Sequence, residues 1–414
     1  MFKVHPCDQL NRVYLCLLPD RPAMSGGFRA AAALLVVAVF GAVFGAVAGS
    51  DAPAFVAAYS LSGQNVEWPC TSTKSVYADT GRYVAKNVIA TRVQVWGDRA
   101  FVLTPRFRSG VPFTVSAVRL ECEHRCWPVL SAYPCWALHD EGDPNAIQNA
   151  VDIYLDPTGL LWVLDSGLVN TVEQPVRRTK PRIFAIDVKT DKVVKQFDLS
   201  GLVCSASRLN YITADYGVDG KAFVYVSDAA TRSVIVWEVA ADRSYRVVLP
   251  KAITHDCTGR RDVLYIALAR DLDAGGGSLY LTYLTSNRMY KIDTCNLRQG
   301  CSEGTVVDLG PKPEKMVILG TDGRSTVYFR YRGQGDVYAW DTDRPGDGTS
   351  FGSDRFSLVR KADDCGRLAT QVAPDNQGGV LWILESNFPD YISGAVGCLG
   401  ANVRLQPLIA QCGK

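Results

Sequence analysis

Six times after residue 90, a turn signal is followed within a few residues by a short apolar run rich in β-branched and aromatic side chains. The turns are Trp96-Gly97-Asp98, Asp156-Pro157-Thr158-Gly159, Val218-Asp219-Gly220, Asp273-Ala274-Gly275-Gly276-Gly277, Thr321-Asp322-Gly323 and Asp375-Asn376-Gln377-Gly378-Gly379. The runs are Phe101-Val102-Leu103, Leu161-Trp162-Val163-Leu164, Phe223-Val224-Tyr225-Val226, Leu279-Tyr280-Leu281, Val327-Tyr328-Phe329 and Leu381-Trp382-Ile383-Leu384. Gly and Asp supply the positive φ of a tight hairpin, and the runs read as buried strands. From Gly97 to Gly378 the signal recurs at intervals of 47 to 62 residues. A strand-built repeat of that length predicts propeller blades, because one four-stranded sheet cannot bury both its faces without neighbours. The chain is therefore expected to be all-β, a six-bladed β-propeller.

Each repeat divides further into strand candidates. The second is expected at Val151 to Leu155, Leu161 to Leu164, Arg182 to Asp187 and Lys192 to Phe197. The third, fourth and fifth divide in the same way. The first shows Val88 to Trp96, Ala100 to Leu103 and Pro112 to Leu120; the sixth shows Leu368 to Val372, Val380 to Leu384 and Asn402 to Leu408, with no fourth strand before the chain ends. A propeller in this position takes its last strand from the other terminus, and Ala54 to Leu61 is the candidate. No sustained helical period and no second globular domain are evident.

Ahead of the repeats, Ala30 to Gly49 is apolar, preceded by Arg29 and ending in Ala46-Val47-Ala48. Basic flank, apolar middle and small-residue end predict a secretory signal peptide cut near Ala48 or Gly49, with a signal anchor as the alternative. Residues 1–49 are thus read as an N-terminal extension plus signal peptide, and 50–414 as one propeller domain. A start at Met24 gives the leader ordinary proportions. Thirteen cysteines agree with an extracellular destination; Cys7 and Cys16 precede the expected cut. The remaining odd number leaves at least one unpaired. Cys295 and Cys301 flank what reads as a short loop between two strands of one blade and are expected to bridge. No Asn-x-Ser/Thr sequon occurs. With 44 basic and 42 acidic side chains, nothing predicts nucleic acid as a partner, or a membrane once the leader is removed.

Several segments together resemble the insect yellow and major royal jelly protein family across the mature length. They are Lys86-Asn87-Val88-Ile89-Ala90-Thr91-Arg92, Thr104-Pro105-Arg106-Phe107 with Gly110-Val111-Pro112, Tyr133-Pro134-Cys135-Trp136 followed by Ala146 to Asp152, Gly159 to Gly167, and Pro181 to Asp187. The resemblance implies a secreted six-bladed propeller. It leaves chemistry open: such proteins include pigment-pathway factors credited with dopachrome conversion, nutritive jelly proteins and salivary binders of biogenic amines. The Pro-Cys-Trp variant and the many cysteines look most similar to an eggshell-associated branch.

Candidate chemistry is sparse. Gly348-Thr349-Ser350-Phe351-Gly352 matches a nucleophile elbow but sits in a Gly/Asp-rich loop, not on a strand-to-helix turn. Cys122-Glu123-His124-Arg125-Cys126 offers zinc-type ligands without a second pair, so disulfide use is preferred. The mature chain has only His124, His139 and His255, and His139 is the one to test as an acid or base. Aligning the repeats on their second strands brings Thr104, Asp165, Asp228, Tyr283, Tyr331 and Glu385 to one equivalent position, at the end opposite the Gly turns. This ring is the candidate ligand site, suited to a small cationic aromatic; the plainer reading is that these residues cap strand ends. Asn149, Asn210, Asp262 and Glu314, near the starts of innermost strands, could hold axial calcium in a propeller hydrolase, a minor alternative.

The expected function is that of a secreted, non-catalytic protein with no cofactor. It would bind a small ligand, a biogenic amine or catechol-like molecule, or contribute to an extracellular matrix such as cuticle or eggshell. The alternative is a dopachrome-converting isomerase that moves its proton with Asp165, Asp228 or His139.

Overall fold

The computed structural model describes residues 58–408 apart from 122–124, 255–261, 272–275, 301–304, 344–350, 364 and 378. The leader at 1–49, the zinc-like cluster's first three residues, His255 and the serine of the elbow lie outside the described residues. The rest forms a ring of six antiparallel sheets, the six-bladed propeller that the repeats predict. Blade 2 shows the plan: Ala150–Leu155 innermost, then Leu160–Asp165, Arg182–Asp187 and Lys192–Asp198 outward. Blades 3, 4 and 5 repeat it, starting at Leu209–Tyr216, Leu264–Asp271 and Met316–Thr321.

Two blades depart from a simple reading. Blade 1 (Arg92–Trp96, Arg99–Leu103, Val115–Arg119) gains a two-residue outer strand, Ser131–Ala132, too short to carry a periodic signal. Its innermost strand begins at Arg92 rather than Val88, because Ala85–Asn87 forms a 3-10 turn and Val88 to Ala90 pack into the core first. Blade 6 (Leu368–Pro374, Leu381–Ser386, Val403–Pro407) takes its fourth strand from Ala58–Leu61, as expected from the missing strand at the C-terminus. That strand pairs antiparallel with Val403–Pro407 (Tyr59 opposite Leu405) and parallel on its other edge with Arg125–Cys126. Among the described residues three short helices interrupt the strands, at Thr71–Asp79, Thr294–Gln299 and Phe388–Ser393. Thr294–Gln299 replaces the loop expected before Cys301. Cys295, in its first turn, is an exposed free thiol, and Cys301 lies outside the described residues.

The core is not inside the sheets but between them. Side chains alternate across each strand, so Leu161 and Val163 face blade 1 while Trp162 and Leu164 face blade 3. The same split sends Val224 and Val226 toward blade 2 and Phe223 and Tyr225 toward blade 4. Six buried clusters result, one at each junction of neighbouring blades. This is why the second strand of every repeat reads as a continuous apolar run.

The turn signal has a further duty. In Asp156-Pro157-Thr158-Gly159 the buried Asp156 carboxylate accepts from the Thr158 and Leu160 amides, at 2.8 and 3.1 Å. It also accepts from Trp162 Nε1 at 2.9 Å and, across the junction, from the Tyr216 hydroxyl at 2.6 Å. Gly159, at φ +94°, closes the turn where a β-carbon would press on the Trp96 ring of blade 1. One turn thus links three blades.

The closing junction is the most exposed to failure, since its two strands come from opposite ends of the chain. Tyr59 is 2% exposed and its ring lies 6.1 Å from that of Trp382. Tyr59→Ala is expected to cost roughly 3–5 kcal/mol, read as a lower urea midpoint. A loss under about 1 kcal/mol would show that ring closure does not depend on this contact.

Candidate functional site

The innermost strands of the six blades wall a central channel that contains a cavity of about 750 Å³. That is ample for a single-ring or two-ring ligand. The cavity reaches the turn end of the ring, where Pro157, Asp322, Gly323, Asp375 and Gln377 line it. Its lining is mixed: apolar positions such as Ile153, Ile212, Leu268, Ile318 and Val372, which also belong to the clusters between blades, alternate with polar ones.

Some polar groups enter this wall at irregularities in the strands, while Arg92 and Tyr265 enter from regularly paired ones. Register shifts fall between Ala150 and Asp152, between Leu209 and Ile212, and between Ala369 and Gln371. A bulge re-aims the side chains around it, and Asp152, Tyr211 and Gln371 all line the cavity. A fourth bulge sits before Gly320, where a β-carbon would collide with the Val372 carbonyl of the next blade at φ +145°.

The polar floor centres on Arg92 and Asp152. Arg92 Nε lies 3.2 Å from Asp152 Oδ1, and its Nη1 donates to the Thr370 carbonyl at 2.5 Å. The guanidinium sits 4.9 Å from the centre of the Tyr211 ring, which stacks on Tyr265 at 5.2 Å and 24°. Burial pushes both phenols above their ordinary range, and their hydroxyls are hydrogen-bonded to each other. Burial also pushes the Asp152 carboxyl up to about 6, against the pull of Arg92 and of the Ile212 amide that donates to it at 2.9 Å. Its folded value lies above the ordinary 3.8, so its ionisation destabilises the fold as pH rises from about 4 to about 6. Higher in the channel, Arg270 donates to the Tyr154 hydroxyl at 2.6 Å and to the Ala214 carbonyl at 2.9 Å. The described lining carries three arginines (Arg92, Arg270, Arg324) and three aspartates (Asp152, Asp322, Asp375), so it has no net charge.

The ring of equivalent second-strand positions lies elsewhere. The described cavity lining contains none of Thr104, Asp165, Asp228, Tyr283, Tyr331 and Glu385. Thr104 donates to the Phe113 carbonyl at 2.9 Å. Asp165 accepts from the amides of Gln148, Asn149 and Gly167, which offset the upward push of burial on its carboxyl. Asp228 accepts from the amides of Arg208 and Ala230 and from the Thr231 hydroxyl at 2.6 Å. Tyr283 donates to the Ala229 carbonyl at 2.7 Å, and Tyr331 packs between Phe329 and Tyr338. Glu385, its carboxyl raised by burial, is held by Arg360 at 3.1 Å and Gln406 at 3.0 Å. In these contacts the side chains are engaged within their own blade or with a connection, and Glu385 also with Arg360 of the outer strand of blade 5.

His139 is wholly enclosed. Its Nε2 donates to the Tyr133 carbonyl at 2.8 Å, and burial holds its pKa down to about 3. It stays neutral at physiological pH, outside the channel lining. The proposed axial calcium ligands are engaged as well: Asn149 with the Arg106 amide and Leu168 carbonyl, Asn210 with the Leu264 amide, Asp262 with Thr285, and Glu314 with Gln334. Among the described residues no group of three or more His, Cys, Asp or Glu could hold a metal ion. Sequence reasoning missed Arg92, Asp152, Tyr211, Tyr265 and Gln371. Their signal was available, as polar residues inside otherwise apolar innermost strands, but only an alignment on those strands would have collected them.

Comparisons with known proteins place the chain in a family. The family model described as "Major royal jelly protein" matches residues 148–411. Protein yellow of Drosophila melanogaster is 24% identical over 374 residues, covering 84% of this chain and 67% of that protein. Protein yellow of Drosophila subobscura is 24% identical over 407 residues, covering 92% and 69%. Among solved structures, a regucalcin from Agrobacterium tumefaciens superposes with a TM-score of 0.45 at 12% identity, over 81% of this chain and 95% of its own. With the family match spanning most of the propeller, the chain belongs to the major royal jelly protein family.

Proposed function

We propose that this protein is a secreted, non-catalytic propeller that binds a catechol-like aromatic molecule in the central channel. The observation that carries the reading is the cavity of about 750 Å³ with a mixed lining and an Arg92–Asp152–Tyr211–Tyr265 floor. The floor offers a carboxylate to accept from ring hydroxyls, two phenols that donate or accept, and aromatic faces for the ring. The balanced lining gives no electrostatic reason to prefer a cation, so of the two ligand classes expected from sequence the neutral catechol fits better than the amine. Burying about 150 Å² of ring contributes roughly 4 kcal/mol at about 25 cal/mol/Å². Micromolar affinity requires about 8 kcal/mol, so the hydrogen bonds to the floor have to supply a comparable share.

A matrix role is compatible with ligand binding, and secretion rests on the leader pattern and the family's likeness to yellow proteins. The isomerase remains a second reading because of one observation: Asp152, with its carboxyl pushed up to about 6, sits on the cavity wall where a proton-transfer group would be needed.

Calorimetry with 4-methylcatechol, dopamine and indole tests the reading. Comparable affinities for 4-methylcatechol and dopamine, both at least about tenfold tighter than indole, are expected, with a loss of about tenfold in Tyr265→Phe or Asp152→Asn. A strong preference for dopamine would restore the amine reading, and no binding at millimolar ligand would remove the channel as a site.

The pH dependence gives an independent check. Only ionised Asp152 accepts from both ring hydroxyls, so affinity is expected to rise about tenfold from pH 5 to pH 7 and to flatten in Asp152→Asn. No dopachrome turnover is expected. Turnover that rises through pH 6 and disappears in Asp152→Asn would establish the isomerase instead.

A further inference from the structure

The unpaired cysteines are distributed unevenly over the ring. In every blade the innermost strand runs from the connection end to the turn end, so blade-to-blade connections and second-to-third connections gather at one end of the ring. First-to-second and third-to-fourth connections gather at the other. The parallel bridge between Val95 of blade 1 and Asp375 of blade 6 agrees with this common direction. Cys70 lies on the connection from blade 6 to blade 1, Cys204 on that from blade 2 to blade 3, and Cys365 on that from blade 5 to blade 6. Cys398 lies on the second-to-third connection of blade 6. All four are exposed free thiols, and the half-buried Cys135, between blades 1 and 2, is free at the same end. Contacts hold the longest of these connections there: Arg82 pairs with Asp140, the Val84 amide donates to the Gly110 carbonyl, and Tyr391 donates to the Asn87 carbonyl. Cys295, on a third-to-fourth connection, is the described free thiol at the opposite end, where the cavity opens.

Two of the four are built as nucleophiles. Cys70 is the N-cap of the nine-residue helix Thr71–Asp79, where the helix dipole favours an anion. Its sulfur lies 3.0 Å from Ser72 Oγ and 3.1 Å from Thr73 Oγ1, hydroxyls that can donate to a thiolate. Those hydroxyls bring its pKa from the ordinary 9.0 down to about 7, which raises its thiolate share at neutral pH. Cys204 repeats the device with Ser207: its amide donates to Oγ at 3.0 Å, its sulfur lies 3.7 Å from the same oxygen, and its pKa is lowered for that reason.

We infer that the connection end of the propeller is a covalent self-association face, on which Cys70 and Cys204 start disulfide links to exposed thiols of a second copy of this chain. The second copy is the occupant because each copy presents the thiols that the other requires. The oxidant is a low-molecular-weight disulfide of the glutathione type. A protein thiolate attacks one of its sulfurs, its S–S bond breaks, and one small thiolate leaves. A thiolate on the second copy then attacks the protein sulfur of that mixed disulfide, forming the inter-chain S–S bond and releasing the second small thiolate. Two protein thiols are oxidised and one small disulfide is reduced. With four exposed thiols at one end, a copy can join more than one neighbour, and the turn end keeps the channel accessible. The inference rests on the secretion reading, because such bonds persist in an oxidising compartment.

The test uses the full chain expressed in insect cells. Protein recovered from the medium, with its leader removed, is run with and without reductant, and its disulfide-linked peptides are mapped by mass spectrometry. Linked dimers and larger species that collapse to monomer on reduction are expected, with links through Cys70, Cys204, Cys365 or Cys398. Purified reduced protein given glutathione disulfide at pH 7 is expected to link about tenfold more slowly as the Cys70→Ser/Cys204→Ser variant, and at an unchanged rate as Cys295→Ser. Circular dichroism checks that both variants fold. Monomer in which these four thiols pair within one chain, links formed mainly through Cys295, or linking as fast in the double variant would overturn the inference. Failure to reach the medium defeats the secretion reading alone, since the purified protein still reports on linking.

Discussion

Burial between blades, rather than within them, is the constraint on which the rest of this structure depends. A single blade here is a sheet with apolar side chains on both faces, as the alternation of Leu161 and Val163 against Trp162 and Leu164 makes plain. Such a sheet has no stable existence alone, because each face needs a partner surface. Every blade is therefore supported by two neighbours, and the condition can be met for all six only when the ring closes. The pairing of Ala58–Leu61 with Val403–Pro407 does this, and the Tyr59, Leu61, Trp382, Leu384, Val403 and Leu405 side chains fill the junction it creates. The two ends of the propeller domain are thereby tied to one another.

Closure creates the channel as a by-product, and its polar floor draws on both broken and regular pairing. Asp152, Tyr211 and Gln371 line the channel at bulges in their innermost strands. Arg92 and Tyr265 reach it from innermost strands in regular register. Asp152 and Arg92 then face each other across two blades, in a setting dry enough to raise the Asp152 carboxyl to about 6. A buried pair of this kind adds little net stability, so its presence on a cavity wall is more readily understood as a feature of binding than of folding.

The two ends of the ring have different characters. At the connection end, Asp165 and Asp228 occupy the same place in blades 2 and 3 and do the same work, each drawing several backbone amides around a buried carboxylate. They organise the connections, and the exposed thiols ride on those connections. At the turn end, short hairpins leave the channel accessible. Ligand access and covalent association can thus operate on opposite ends of one molecule.

The sequence by itself determined the blade number, the second strands, the turn chemistry and the need for an N-terminal closing strand, because these depend on local periodicity and on an arithmetic shortage of one strand. Ser131–Ala132 and Arg125–Cys126 escaped it, since two-residue strands exist only through their partners. Thr104, Asp165, Asp228, Tyr283, Tyr331 and Glu385 lie at or next to the ends of the six second strands. Equivalence along the chain does not say whether a side chain points to a lumen or back to its own backbone, and that was decided by the fold. The cavity floor was hidden for the same reason: Arg92, Asp152, Tyr211 and Tyr265 recur at about the repeat spacing on the innermost strands of four repeats, but spacing alone does not say that they meet at one lumen. Only the closed ring brings them within reach of one another, and only burial between blades gives their charges and rings the low-dielectric setting in which they matter.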